Sequence, residues 1–292
     1  MPGNVTRASA VLLALGALAY TAWVLEVVLR TGLDPVRTYV SELAASDQPF
    51  GTFFRATDLV SGALVLAGAV LGWVGTRGSG TRESGTRGPG HAGTRGSGTW
   101  GPGHAGTPGA GRAGTPGSGD PGASGAGRPG TPESGRARRI REPWAVLGWG
   151  ALALFGAATV ADSRLPLSCA ATTDPACAAR ETTGLVPATH TAHAVSSGLA
   201  MTGALVALVA LTVAARRYGR WRPLARTGPV IVALELAATV WTLAAVAAFE
   251  AGKGAWALGA GQRLQVLLVA VWLAVLAYSL ATSRPAPEKE ER

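Results

Sequence analysis

The apolar segments of this chain carry no polar stripe, and that absence removes a soluble helical bundle from consideration. Stretches such as Leu199 to Ala214 offer almost nothing for water to solvate, whereas a helix on the surface of a soluble domain needs a polar face. Cysteine is scarce. The two present, Cys169 and Cys177, lack the spacing of a zinc knuckle. Phosphate-cradling loops and dinucleotide fingerprints are missing too, because the glycine-rich tract has no strand-to-helix context around it. No convincing nucleophile triad stands out. Acidic residues number 17 against 26 basic ones. The arginines are spread among glycines rather than gathered in a patch, which argues against nucleic-acid binding.

What the sequence does have is hydrophobic residues, 48% of 292, arriving in long blocks. A bilayer core about 30 Å thick needs about 20 apolar residues per helix at about 1.5 Å rise each. Six windows qualify: Ala8 to Leu29, Ala56 to Val74, Trp144 to Ala161, His190 to Ala214, Thr227 to Phe249 and Gln262 to Ala281. The expected fold is all-α, a polytopic six-transmembrane-helix bundle with the lipid bilayer as its partner. Arg7 followed by an apolar run and the triplet Ala17, Leu18, Ala19 resembles a secretory signal, but apolarity continuing to Leu29 favours an uncleaved helix.

Basic residues near the helix ends set an orientation. Arg77, Arg82, Arg87, Arg95, Arg112, Arg128, Arg136, Arg138, Arg139 and Arg141 fall between the second and third windows, and Arg216, Arg217, Arg220, Arg222 and Arg226 between the fourth and fifth. Arg284, Lys289 and Arg292 follow the sixth. These connections are expected in the cytoplasm of a plasma-membrane protein, with both termini. The opposite loops, holding Asp34, Glu42, Asp47, Asp58, Asp162, Asp174, Glu181 and Glu250, then face outward. Both cysteines lie in one such loop, where an oxidising medium makes a disulfide the expected state.

The chain divides into 1–75 with the first two helices, an insert at 76–143, the remaining four helices at 144–283, and a tail at 284–292. Within the insert, units of five and eight residues restart mostly on Gly-Thr, as at Gly75, Gly85, Gly98, Gly106, Gly114 and Gly130. With one aromatic, Trp100, and almost no aliphatic side chains, the tract cannot offset the entropy of ordering and is expected to be a disordered low-complexity loop. Its broken glycine spacing excludes collagen.

Polar residues gather at the outer helix ends: Glu26, Asp58, Asp162, His190, His193, Glu250, Gln262 and Arg263, with Ser41, Glu42, Arg164, Ser196 and Ser197 nearby. Helix ends are polar anyway, since capping and the dipole favour it. A sharper reading starts from His190 and His193, which at i and i+3 share a helix face. With Asp58 or Asp162 they would form a three-ligand site for a divalent metal such as zinc, able to activate water against a lipid or acyl bond. Inside the bilayer stands Glu235, which costs roughly 2.5 kcal/mol or more unless neutral or paired. It should face the bundle interior, with Thr202 or Thr159 as a hydrogen-bond partner or with a proton or substrate pathway around it. Gly68, Gly72, Gly148, Gly150 and Gly156 suit close helix packing. Trp73, Trp144 and Trp256 suit the interface.

Tyr39-Val40-Ser41-Glu42-Leu43, Asp58, and Asp162-Ser163-Arg164-Leu165-Pro166 leading to Cys169, Cys177, His190 and His193 together resemble the domain of unknown function 998 family of six-pass bacterial membrane proteins. The resemblance covers the membrane portion and implies the fold, with a short connection where this chain has its repeat. It implies no activity. The expected function is a non-enzymatic sensor, accessory or small-solute transport protein, with a metal-dependent outer-leaflet hydrolase as the alternative. Protein partners and oligomeric state are not legible.

Overall fold

The computed structural model describes residues 2–79 and 142–283, all within one compact unit; a second unit, Glu83–Arg139, lies outside them. The Gly-Thr repeat and the 284–292 tail therefore fall outside the described residues. At the edges of the 76–143 segment the helices simply continue, one through Ser79 and the next starting at Pro143.

Among the described residues there is no strand. Six spans are long and apolar enough to cross a membrane: Asn4–Leu29, Gly51–Thr76, Pro143–Asp162, Ala188–Arg217, Arg222–Glu250 and Leu258–Ala281. The chain is an all-helical, multi-pass membrane protein. The first span is built from α1 (Pro2–Tyr20), a 3-10 turn (Ala22–Leu25) and the short α2 (Glu26–Leu29). The others are α3 (Gly51–Ser79), α4 (Pro143–Asp162), α6 (Ala188–Arg217), α7 (Arg222–Glu250) and α8 (Leu258–Ala281). Each contains its apolar window and extends past it. Hydropathy stops at the first charge, whereas backbone hydrogen bonding continues through polar turns at the interface.

Consecutive spans pack side by side: α1 on α3, α3 on α4, α4 on α6, α6 on α7, α7 on α8, and α8 back on α1. The result is a closed up-and-down ring, the arrangement that short antiparallel connections favour. Trp149, Phe155, Leu208, Leu211, Trp272 and Leu273 fill its interior, while Leu18, Val27, Val240 and Leu243 stay exposed on its flanks. Apolar side chains on both sides of a helix are what a lipid solvent requires. Small residues set the closest approach. A Cβ on Gly62 would lie 2.8 Å from the Val160 nitrogen, and one on Gly156 would lie 2.6 Å from the Leu66 nitrogen, so α3 and α4 meet backbone to backbone. At the arginine-rich end Arg220 pairs with Glu142 at 2.9 Å, and the Arg217 guanidinium lies 5.9 Å from the Trp144 ring centroid.

Candidate functional site: a capped polar pocket

Two connections fold over the end of the ring opposite those arginines. The first, between α2 and α3, contains a 3-10 turn at Val40–Ala44. The second, between α4 and α6, contains α5 (Pro175–Thr182), a helix that hydropathy misses because it is amphipathic and only eight residues long. Its start was legible in Asp174-Pro175: Asp174 accepts from the Ala176 amide at 2.9 Å and proline occupies the first turn. A disulfide joins Cys169 in the loop to Cys177 on α5, with Cα atoms 6.1 Å apart.

Glu42 clamps the two connections together. Its carboxylate accepts from the Thr172 amide at 2.8 Å, from the Thr172 hydroxyl and from the Tyr39 amide at 3.2 Å. Glu42 is 1% exposed, and that burial pushes its carboxyl above the usual range against the pull of the Thr172 bonds. Burial likewise pushes the Tyr39 phenol up, with the Glu250 and Glu42 charges adding. Ser46 completes the clamp through its amide, which donates to the Leu167 carbonyl at 2.8 Å. The first connection is also tied to the bundle. Gln262 accepts from the Val40 amide at 2.6 Å, Arg55 donates to the Ala44 carbonyl at 2.6 Å, and Arg263 donates to the Thr38 carbonyl at 2.9 Å. Arg263 is itself held by Glu26, with both contacts at 2.6 Å.

Beneath this cap lies a cavity of about 110 Å³. Tyr20, Trp23 and Phe54 supply aromatic walls, and Asp58 and Asp162 supply carboxyls. Ser41, Thr57, Thr159, Ser197 and Gln262 add hydroxyls and an amide, and among the described residues no basic side chain lines it. The first span changes from α to 3-10 winding between Tyr20 and Trp23, so the irregular backbone falls where the walls are placed. Sequence reading passed over Tyr20, Trp23 and Phe54 because aromatics near a span end read equally well as interfacial anchors.

The two carboxyls have different surroundings. Asp162 accepts from the Ser196 hydroxyl and from Ser197 Oγ at 3.0 and 3.1 Å, and its Oδ1 lies 3.2 Å from His193 Nδ1. Asp58 lines the same pocket and lies within electrostatic reach of Asp162, but among the described residues no donor is set against it.

The chain matches the model of the family described as Protein of unknown function (DUF998) over residues 13–88 and 135–279. It belongs to that family. The matched stretches of this DUF998 protein include Tyr20, Asp58, Asp162, His193 and Gln262, and leave 89–134 outside. No curated protein and no solved structure matches the chain significantly.

The two histidines of the DUF998 chain share a helix face, as their spacing implies, but have separate partners. His190 Nδ1 accepts from Ser168 N at 3.3 Å and lies 2.9 Å from Ser168 Oγ, while its Nε2 faces Glu181 at 3.5 Å. His193 Nδ1 donates to the Leu165 carbonyl at 2.8 Å, and its Nε2 lies 3.3 Å from Ser197 Oγ. The second connection folds back over the start of α6 and occupies each ring separately. Among the described residues no group of three or more His, Cys, Asp and Glu side chains is placed to hold a metal ion, so Asp58, Asp162, His190 and His193 do not assemble into the tetrahedral set that zinc takes. Ser197, His193 and Asp162 are residue types of a hydrolytic triad, and Ser197 Oγ lies 3.3 Å from His193 Nε2. The same hydroxyl is set closer to both Asp162 oxygens, at 3.0 and 3.1 Å, which competes with its presentation to the imidazole. Arg164 and Glu250 are exposed and do not line the pocket.

Glu235 faces the interior, 1% exposed, but not toward the threonines expected. Thr202 donates to the Gly198 carbonyl at 2.8 Å and Thr159 to the Phe155 carbonyl at 2.9 Å, each satisfied within its own helix. The side chain that approaches Glu235 is Gln265 of α8.

Proposed function

We propose that this protein is a non-enzymatic small-solute carrier or sensor of the plasma membrane whose capped pocket takes up a small organic monocation from the outer face. The observation that supports this most directly is Asp58, a carboxyl with no donor set against it among the described residues, in a pocket walled by Tyr20, Trp23 and Phe54. A carboxyl within a membrane span is costly without a counter-charge, and aromatic faces attract an ammonium group. Asp162 is already engaged by Ser196, Ser197 and His193, so one carboxyl is free for one positive charge. The cavity, about 110 Å³, is of the same order as engineered cavities of about 150 Å³ that hold benzene.

The outward placement is supported by the arginines at the other end of the ring, Arg216, Arg217, Arg220, Arg222 and Arg226, which stay cytoplasmic under the positive-inside rule. Both termini and the 76–143 segment are then cytoplasmic.

The test is binding of radiolabelled methylammonium to the purified full-length protein. Asp58→Asn should abolish it and Asp162→Asn should weaken it, because Asp162 orients the pocket rather than carrying the free charge. Binding to Asp58→Asn at the affinity of the unsubstituted protein would end this reading.

A further inference from the structure

Between α7 and α8 a line of polar side chains runs through the apolar interior. Glu235, Thr239 and Thr242 stand at i, i+4 and i+7 on one face of α7. Opposite them α8 presents Gln265, whose Nε2 donates to Thr239 Oγ1 at 2.9 Å. One turn further out, a Cβ on Gly261 would lie 3.2 Å from Thr242 Oγ1, so glycine lets α8 pass close to that hydroxyl. Gln262, the next residue, lines the pocket. From Glu235 to Thr242 the line spans about 10 Å at about 1.5 Å per residue.

Two atoms along this line are buried without a hydrogen-bond partner among the described residues, Glu235 Oε2 and Thr242 Oγ1, on residues 1% and 7% exposed. Most buried polar atoms are paired, and an ionisable group at this depth marks function more often than packing. Among the described residues Glu235 has no salt-bridge partner. Arg263 of α8 is engaged by Glu26, and α6 carries no ionisable residue from Gly198 to Ala215. On α7 itself the nearest charged residues are Arg226 and Glu250, more than two turns away. Tyr20 of α1 lies within electrostatic reach of Glu235, Asp58 and Asp162.

We infer that Glu235 is an intramembrane proton site that exchanges its proton with the outer pocket along the Gln265, Thr239 and Thr242 seam. The carboxylic acid of Glu235 gives up one proton, which passes outward over the hydroxyls to the Asp58 carboxylate or to water in the pocket and leaves the Glu235 carboxylate behind. Reprotonation runs the same route inward. A carrier for a monocation would thereby gain a second ionisable site below its binding pocket. The inference rests on the pocket being open to the outer medium.

Infrared difference spectroscopy of the full chain in nanodiscs, on transfer from light to heavy water, reads the buried carboxylic C=O band directly. A band that shifts with deuterium and is missing in Glu235→Gln is expected. Thr239→Val and Thr242→Val should each slow the shift about fivefold, the rate change that corresponds to about 1 kcal/mol for one lost hydrogen bond. A band unaffected by Glu235→Gln, or exchange in both valine variants as fast as in the unsubstituted protein, would overturn the inference. Asp58→Asn separates the two proposals: it should remove methylammonium binding while the Glu235 band persists. If methylammonium never binds but the seam variants still slow exchange, the cation reading fails and the proton path stands.

Discussion

Glu26 and Arg263 form a buried pair, 7% exposed each, that joins the end of the first span to the start of α8 and fixes the Thr38 carbonyl above them. Such a pair is weak evidence for net stability, but removing one partner strands a charge. Arg263→Met should therefore cost about 3–5 kcal/mol, and the double variant Glu26→Leu with Arg263→Met should recover part of that loss; thermal unfolding in detergent measures both. Glu42 makes a pH-dependent contribution. Its folded pKa lies above the ordinary range because it is buried, so the folded protein holds the proton to higher pH than the unfolded chain. The stability this provides is present in acid and is lost as the pH rises from the ordinary carboxylate range through the raised one. Glu42→Gln, which keeps an acceptor for Thr172, should flatten that dependence in melting curves taken across the window.

At the scale of elements, α5 and its disulfide brace the second connection, which Thr172 and Leu167 join to the first. Closing a loop of this length contributes about 2–3 kcal/mol by chain entropy. Reduction, or Cys169→Ser with Cys177→Ser, should speed protease cleavage within residues 163–187 while leaving the spans intact by circular dichroism. The α3–α4 contact has no room for a side chain, since a Cβ on Gly156 would meet the Leu66 backbone. Gly156→Leu should accordingly destabilise the bundle by more than about 3 kcal/mol, overpacking against backbone being worse than overpacking against movable side chains, and should lower the yield of folded protein in detergent.

For the whole molecule, sidedness decides whether the pocket opens outward. Thiol labelling of intact cells with an impermeant maleimide, after reduction, should modify Cys169 and Cys177; labelling confined to lysed cells would place the pocket on the cytoplasmic side. Hydropathy alone determined the six spans, because apolar length against bilayer thickness is a one-dimensional property of the chain. It also located the polar end of the bundle, since Asp58, Asp162, His190 and Gln262 all sit where apolar runs begin or end. The cysteine pairing followed from there being only two cysteines in one loop. Which side chains meet was a different matter. Only the tertiary structure separated the two histidines, by folding Ser168 and Leu165 back onto them, and only it turned Glu235 toward Gln265 of α8 instead of a threonine elsewhere. Helical spacing states which face a residue occupies. What that face meets depends on how the ring closes and how the loops return over its end, and no periodicity along the chain encodes either.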